Sequence, residues 1–139
     1  MGNPKIRIKR PSLAEQYIAL KRAFPESLME SDMITYFTWE GTLRSSPLGD
    51  EYLIKINYTL GNVPKIYVIG PKVLKLALGK DRLPHVYKQK EQQLCLFVSS
   101  EWNTGRMIAY TIIPWIIEWL FHYELWLIDG DWKGGGTEH

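Results

Sequence analysis

Cys95 is the first candidate for covalent chemistry, and it is the chain's single cysteine. A thiolate attacks carbonyl carbons, and its formation depends on exposure and on nearby positive charge. The residue sits in an apolar run, Leu94-Cys95-Leu96-Phe97-Val98. A cysteine in such a run is more often a small core residue than a nucleophile. Two features weigh the other way. Alternation puts Leu94 and Leu96 on one side and Cys95 on the other. A long stretch rich in polar residues also arrives just before it, carrying His85, Lys88 and Lys90. A cysteine protease would need a His base and an orienting Asn or Asp. His85 and His122 are present, but nothing in their spacing fixes that geometry. His122 falls on an aromatic stripe and reads as a packed histidine. His85 lies in a loop, where binding residues concentrate.

Other chemistries are weakly supported. One cysteine excludes an intramolecular disulfide and a cysteine-rich zinc site. Glu138 and His139 offer two metal ligands at a chain end, which is too few to make a centre. No G-x-G-x-x-G or P-loop pattern is present. Seventeen Lys and Arg against fifteen Asp and Glu give a net charge of +2, too mild to imply nucleic acid. Lys5, Arg7, Lys9 and Arg10 read as a solvated basic lead-in, with a docking surface for an acidic partner as the alternative. A reduced thiol fits the cytoplasm. No apolar core follows the basic start, so no secretory signal is expected. The segment from Ile108 to Ile128 approaches membrane-spanning length. It contains Glu118, His122, Glu124 and Pro114, so a helix buried in the protein core is expected and no membrane span.

These residues must be held by a frame of 139 residues, enough for a single domain with its own core. Ser12 is an N-cap candidate, with Glu15 completing a capping box. Leu13, Tyr17, Leu20 and Phe24 then share one helical face. Glu15, Gln16, Lys21 and Arg22 lie away from it, and Pro25 ends the helix. Three strand-like runs follow, at about Met33 to Leu43, Tyr52 to Leu60 and Lys65 to Ile69. In the second, Tyr52, Ile54, Ile56, Tyr58 and Leu60 alternate onto one face. Short turns at Pro47-Leu48-Gly49-Asp50 and Gly61-Asn62 favour antiparallel pairing. The stretch from Gly70 to Glu91 reads as a long, mostly irregular loop, of the kind that is often functional. From Thr104 a helix begins, with Ile108, Ile112, Trp115, Trp119, His122 and Trp126 along one stripe. Apolar almost all round, it should be heavily buried. The fold class is therefore α+β. The end, Gly134-Gly135-Gly136, reads in isolation as a flexible tail.

The order of these elements resembles the ubiquitin-conjugating fold. Trp39-Glu40-Gly41 is similar to the family's Trp-x-Gly, and Pro64 with Ile66 and Val68 to the Pro-rich entry to a strand. Leu83-Pro84-His85-Val86-Tyr87 stands where His-Pro-Asn-Ile is expected. Leu94-Cys95-Leu96 resembles Ile-Cys-Leu, and Trp102 matches the Trp that follows. The resemblance covers roughly Ser12 to Ile128. His85 replaces the family's Asn, Leu83 replaces its His, and the interval to Cys95 is longer than usual. Closer still are the stand-alone conjugating-enzyme-like proteins of short type II CBASS anti-phage operons. Trp132-Lys133-Gly134-Gly135-Gly136 with Glu138-His139 resembles that branch, which makes the glycine-rich end a family feature.

The resemblance implies an N-terminal helix, a four-stranded antiparallel meander, a long active-site loop and a long C-terminal helix. One catalytic domain spans residues 1–139, with a basic lead-in at 1–11 and a glycine-rich tail at 130–139. Cys95 would carry an acyl group as a thioester, with His85 or a backbone N–H facing the oxyanion. Pro84, Tyr87, Lys88, Lys90, Leu94 and Trp102 would contact the substrate, with Gln89 and Glu91 on the same rim. The implied acyl donor is the C-terminus of a protein partner, a cGAS-like nucleotidyltransferase or a ubiquitin-like protein. An adenylating enzyme is a further implied partner. No metal or cofactor is needed. Three rivals stand beside this: a non-catalytic binding module of the same fold, a redox protein, for which the chain lacks a resolving cysteine, and a scaffold whose Trp-rich helix packs on a membrane or a partner, the helix acids favouring a partner over lipid.

Overall fold

A computed structural model describes residues 10–96 and 101–134. The first helix, α1 (Leu13–Ala23), starts on the expected capping box: Glu15 N–H donates to the Ser12 hydroxyl at 3.1 Å, and the Glu15 carboxylate turns back to the Ser12 backbone. Leu13 and Leu20 are buried, as their spacing implies. Gln16 corrects the sequence reading, which put it on the solvent side. It is fully buried. Its side-chain amide accepts from Ile108 N–H at 2.9 Å and donates to the Arg106 carbonyl at 3.0 Å. Met107 offers no side-chain cap to the second helix, so a glutamine from the first supplies one.

The sheet begins earlier than its composition suggests. Strand β1 (Leu28–Ser31) pairs antiparallel with β2 (Tyr36–Leu43). The run from Met33 to Leu43, expected as one strand, is broken at its start by a turn. Asp32 accepts there from the N–H groups of Ile34, Thr35 and Tyr36. The Thr35 hydroxyl, which also donates to Asp32, and then these N–H bonds hold its carboxyl well below the usual carboxylate range. Strand β3 (Tyr52–Thr59) and β4 (Lys65–Gly70) complete a four-stranded meander. Two short strands, β5 (Val86–Lys88) and β6 (Gln93–Leu94), extend it to the order β1-β2-β3-β4-β6-β5. The long stretch after Gly70 is thus irregular only as far as Val86.

Burial in β3 alternates as predicted, with Tyr52, Ile54, Ile56 and Tyr58 inside. Trp39 in β2 is wholly buried. Its indole lies over Gly41, two residues on along the same face, where a Cβ would sit 2.3 Å from the ring. The Trp-x-Gly pattern therefore has a packing cause: only glycine leaves the indole room to lie flat on the strand.

The last helix, α2 (Ile108–Asp129), starts four residues later than expected. It buries Ile108, Ile112, Ile116, Trp119, Leu120, Tyr123 and Trp126 in one core with α1 and the sheet. Gly130 ends it in the left-handed conformation, donating to the Trp126 carbonyl at 2.7 Å. Glu124 ties the helix to the β2–β3 connection by accepting from the Ser45 hydroxyl and from Asp50 N–H. Among the described residues no helix is long and apolar enough to cross a membrane. Lys5, Arg7 and Lys9 of the lead-in, Phe97 and Val98 of the apolar run, and Gly135, Gly136, Glu138 and His139 lie outside the described residues.

Candidate functional site

Cys95 directly follows β6, and its backbone is set by that position. Its N–H donates to the His85 carbonyl at 3.0 Å. His85 stands directly before β5, so the bond closes the outer end of the β5–β6 pair. Cys95 as a residue is 8% exposed. On the same hairpin Tyr87, half exposed, brings its hydroxyl into hydrogen-bonding contact with Cys95. Burial, that hydrogen bond and the charge of the sulfur push the Tyr87 phenol up to about 12. It stays protonated, and so remains a donor, through the neutral range.

Two glutamines hold the loop that leads here. The Gln89 side chain accepts from Leu83 N–H at 2.7 Å and donates to the Leu83 carbonyl at 2.9 Å. This folds the hairpin tip back onto the start of the Leu83-Pro84-His85 segment. Gln92 is buried and has φ of 52°. Its amide accepts from Leu74 N–H at 2.5 Å and donates to the carbonyls of Val68 and Pro71 at 2.9 and 3.1 Å. A buried amide satisfied at both ends fixes its surroundings. Here it ties the tip of β5–β6 to the end of β4 and the loop beyond. The Tyr123 hydroxyl pins the same loop to α2 through the Lys75 carbonyl at 2.6 Å.

His85 itself is buried, with φ of 47°. That is uncommon for a residue other than glycine, though histidine is among those that tolerate it. Its carbonyl also accepts from the Trp119 indole at 3.2 Å. Its ring packs on Trp132, with centroids 4.9 Å apart.

A shallow cleft of about 310 Å³ is lined by Val63, Pro64, Lys65, Ile66, Tyr87, Gln93 and Leu94, so the β5–β6 hairpin that leads to Cys95 forms one of its walls. The structure therefore gathers Cys95, His85, Tyr87 and Leu94, with Pro84 half-buried in the turn before β5. Lys88 and Lys90 are exposed on the hairpin and do not line the cleft. Trp102 is buried edge-on against Tyr58 and lies outside the cleft lining. His122 is half-buried, between Phe121 and Trp132. Among the described residues no group of three or more His, Cys, Asp and Glu is gathered as for a metal ion.

Sequence reasoning missed Gln16, Gln92 and the contact of Trp132 with His85. No local pattern marks a buried glutamine. The Trp132 contact had a weak signal, a large aromatic side chain just beyond a helix that ends in glycine.

A family model described as type II CBASS E2 protein matches residues 16–139. No match was found among curated proteins. The match takes in α1 from Gln16 onward, the whole sheet, the Cys95 hairpin and α2, and on it the chain belongs to the type II CBASS E2 family, with an E2-like role in CBASS defence.

Proposed function

We propose that the protein is a cysteine-dependent acyl carrier that forms a thioester between Cys95 and the C-terminus of a protein partner, a cGAS-like nucleotidyltransferase or a ubiquitin-like protein. The observation that carries this reading is the contact between Cys95 and the hydroxyl of Tyr87, a residue that also lines an open cleft. A phenol donor on sulfur favours the thiolate, which is the reactive form. The cleft takes the extended tail of the donor, and a tail ending in glycine allows the close backbone approach that a narrow cleft needs.

The reaction needs an activated carboxyl, which an acyl adenylate made by a separate adenylating enzyme supplies. The thiolate attacks the carbonyl carbon, the bond from that carbon to the phosphate oxygen breaks, adenylate leaves and the thioester forms. A lysine amine or water then adds to the same carbon and loses a proton as the thiolate departs. Splitting the transfer into two steps lowers each barrier. His85 holds Cys95 through its carbonyl, and its ring or a neighbouring backbone N–H faces the developing oxyanion. Tyr87 and Leu94 line the path of the tail, Pro84 shapes the turn, and Trp102 packs edge-on against Tyr58. Lys88 and Lys90 attract an acidic partner surface at the rim. The chemistry suits a reducing compartment such as the cytoplasm.

The low exposure of Cys95 favours a second reading, a binding module of the same fold that recognises the same partners without covalent chemistry. Co-expression with operon neighbours, followed by a non-reducing gel, separates the two. The carrier reading expects a heavier band that collapses with thiol reductant, is absent from Cys95→Ala, and becomes reductant-resistant as an oxyester in Cys95→Ser. Co-purification of a partner with no such band in any form would favour the binding module.

A further inference from the structure

The chain beyond α2 does not leave the molecule at once. Trp132 turns back and places its ring on His85 at 4.9 Å, on Trp119 at 5.7 Å and on His122 at 5.7 Å. Gly134 closes the turn against the same rings. A Cβ there would lie 2.8 Å from His122 Cδ2 and 2.9 Å from the Trp132 indole nitrogen. Trp119 contacts both partners: its indole N–H donates to the His85 carbonyl, and its ring meets Trp132. That carbonyl is the one that accepts from Cys95 N–H.

We infer that Trp132 is a positioning residue for Cys95, acting through His85. His85 is held at positive φ, a conformation that costs free energy and persists only where its surroundings over-determine it. Two hydrogen bonds fix its carbonyl, and Trp132 fixes its ring. Removal of the Trp132 ring leaves one side of the imidazole unpacked and lets residue 85 relax towards negative φ. The relaxation turns the peptide that carries the Cys95 bond. It also loosens the adjoining strand β5, which presents Tyr87 to the sulfur. Two consequences follow at the thiol: it becomes more accessible, and it loses its phenol donor.

The inference rests on the reading of Cys95 as the acyl-carrying residue, but its test needs no partner. In the full-length protein the rate of Cys95 alkylation by iodoacetamide is measured across pH for wild type, Trp132→Ala, Trp132→Phe and Gly134→Ala. Leu13→Ala, a core variant on α1, reports what loss of stability does alone. Trp132→Ala is expected to raise the limiting rate at high pH about fivefold, a size ordinary for coupling through packed side chains. It is also expected to move the midpoint of the pH profile upward. Trp132→Phe, which restores an aromatic face, returns both to wild-type values. Gly134→Ala reproduces the change without removing the ring, and stands in if Trp132→Ala does not fold. Leu13→Ala leaves the midpoint in place. An unchanged midpoint in folded Trp132→Ala and Gly134→Ala would overturn the inference, as would a Leu13→Ala profile shifted like theirs. Absence of any thioester in wild type would remove the acyl-carrier reading and leave this result standing.

Discussion

The amide of Cys95 and the carbonyl of His85 are hydrogen-bonded at 3.0 Å, and this bond sets the two residues facing each other at the open end of the β5–β6 pair. It is a main-chain link, so the position of the thiol depends on the conformation of residue 85 as well as on its side chain. Because φ there is 47°, backbone tolerance and ring chemistry can be separated by substitution.

His85→Asn keeps a residue that accepts positive φ, whereas the β-branched His85→Val does not. Both lose the ring that packs on Trp132. Urea denaturation is expected to find Val less stable than Asn by about 1–2 kcal/mol, the cost of a forced left-handed conformation. Equal stability of the two would show that residue 85 can leave the left-handed region at no cost.

The Tyr87 hydroxyl contacts the sulfur and ionises only at about pH 12, so it remains a donor through the neutral range. Tyr87→Phe removes that donor and leaves the ring. Alkylation of Cys95 at neutral pH is expected to slow about fivefold, equivalent to one net hydrogen bond. An unchanged rate would mean that the phenol does not act on the thiolate.

Gln16 joins the helices at the point where α2 lacks a cap of its own. Gln16→Ala strands the buried Ile108 N–H, and an expected loss of about 2 kcal/mol in chemical denaturation follows from an unsatisfied buried donor. Gln16→Glu keeps the acceptor for Ile108 and turns the donor to Arg106 O into a second acceptor, so it is expected to be destabilising also. A neutral effect of both substitutions would contradict the capping role.

Burial raises the phenol pKa of Tyr52, Tyr58 and Tyr123; for Tyr123 it reaches about 12, against an ordinary value near 10. A group that holds its proton more tightly when folded stabilises the fold below its unfolded pKa and loses that contribution as pH rises through the folded one. Thermal melts are expected to be flat from neutral pH to about pH 10 and to fall from there to about pH 12. Tyr123→Phe is expected to weaken that fall. A decline that begins well below pH 10 would point to another group.

The sequence made the frame legible wherever a period or a cap was repeated. Tyr52, Ile54, Ile56 and Tyr58 announced a strand, and Ser12 with Glu15 announced the first helix. The stripe from Ile108 to Trp126 announced the second helix, though its start moved from Thr104 to Ile108. Where the reading fell short, long-range contacts decided. Strand β1 has only four residues, too few to show alternation, and Asp32 ends it with side-chain bonds that local pattern does not encode. Gln16 looked solvated because polarity was read as exposure, yet its partners lie about ninety residues away along the chain. Cys95 and His85 were picked out by residue type and by resemblance. The link between them runs through a main-chain carbonyl, a relation invisible in residue types.

The central claim is a thioester on Cys95, and the most direct measurement is the intact mass of the protein purified from cells that hold its operon neighbours, before and after neutral hydroxylamine. The account predicts an added mass equal to a partner protein less one water, released by hydroxylamine and absent from Cys95→Ala. A protein recovered wholly at its unmodified mass beside an intact, bound partner would contradict it.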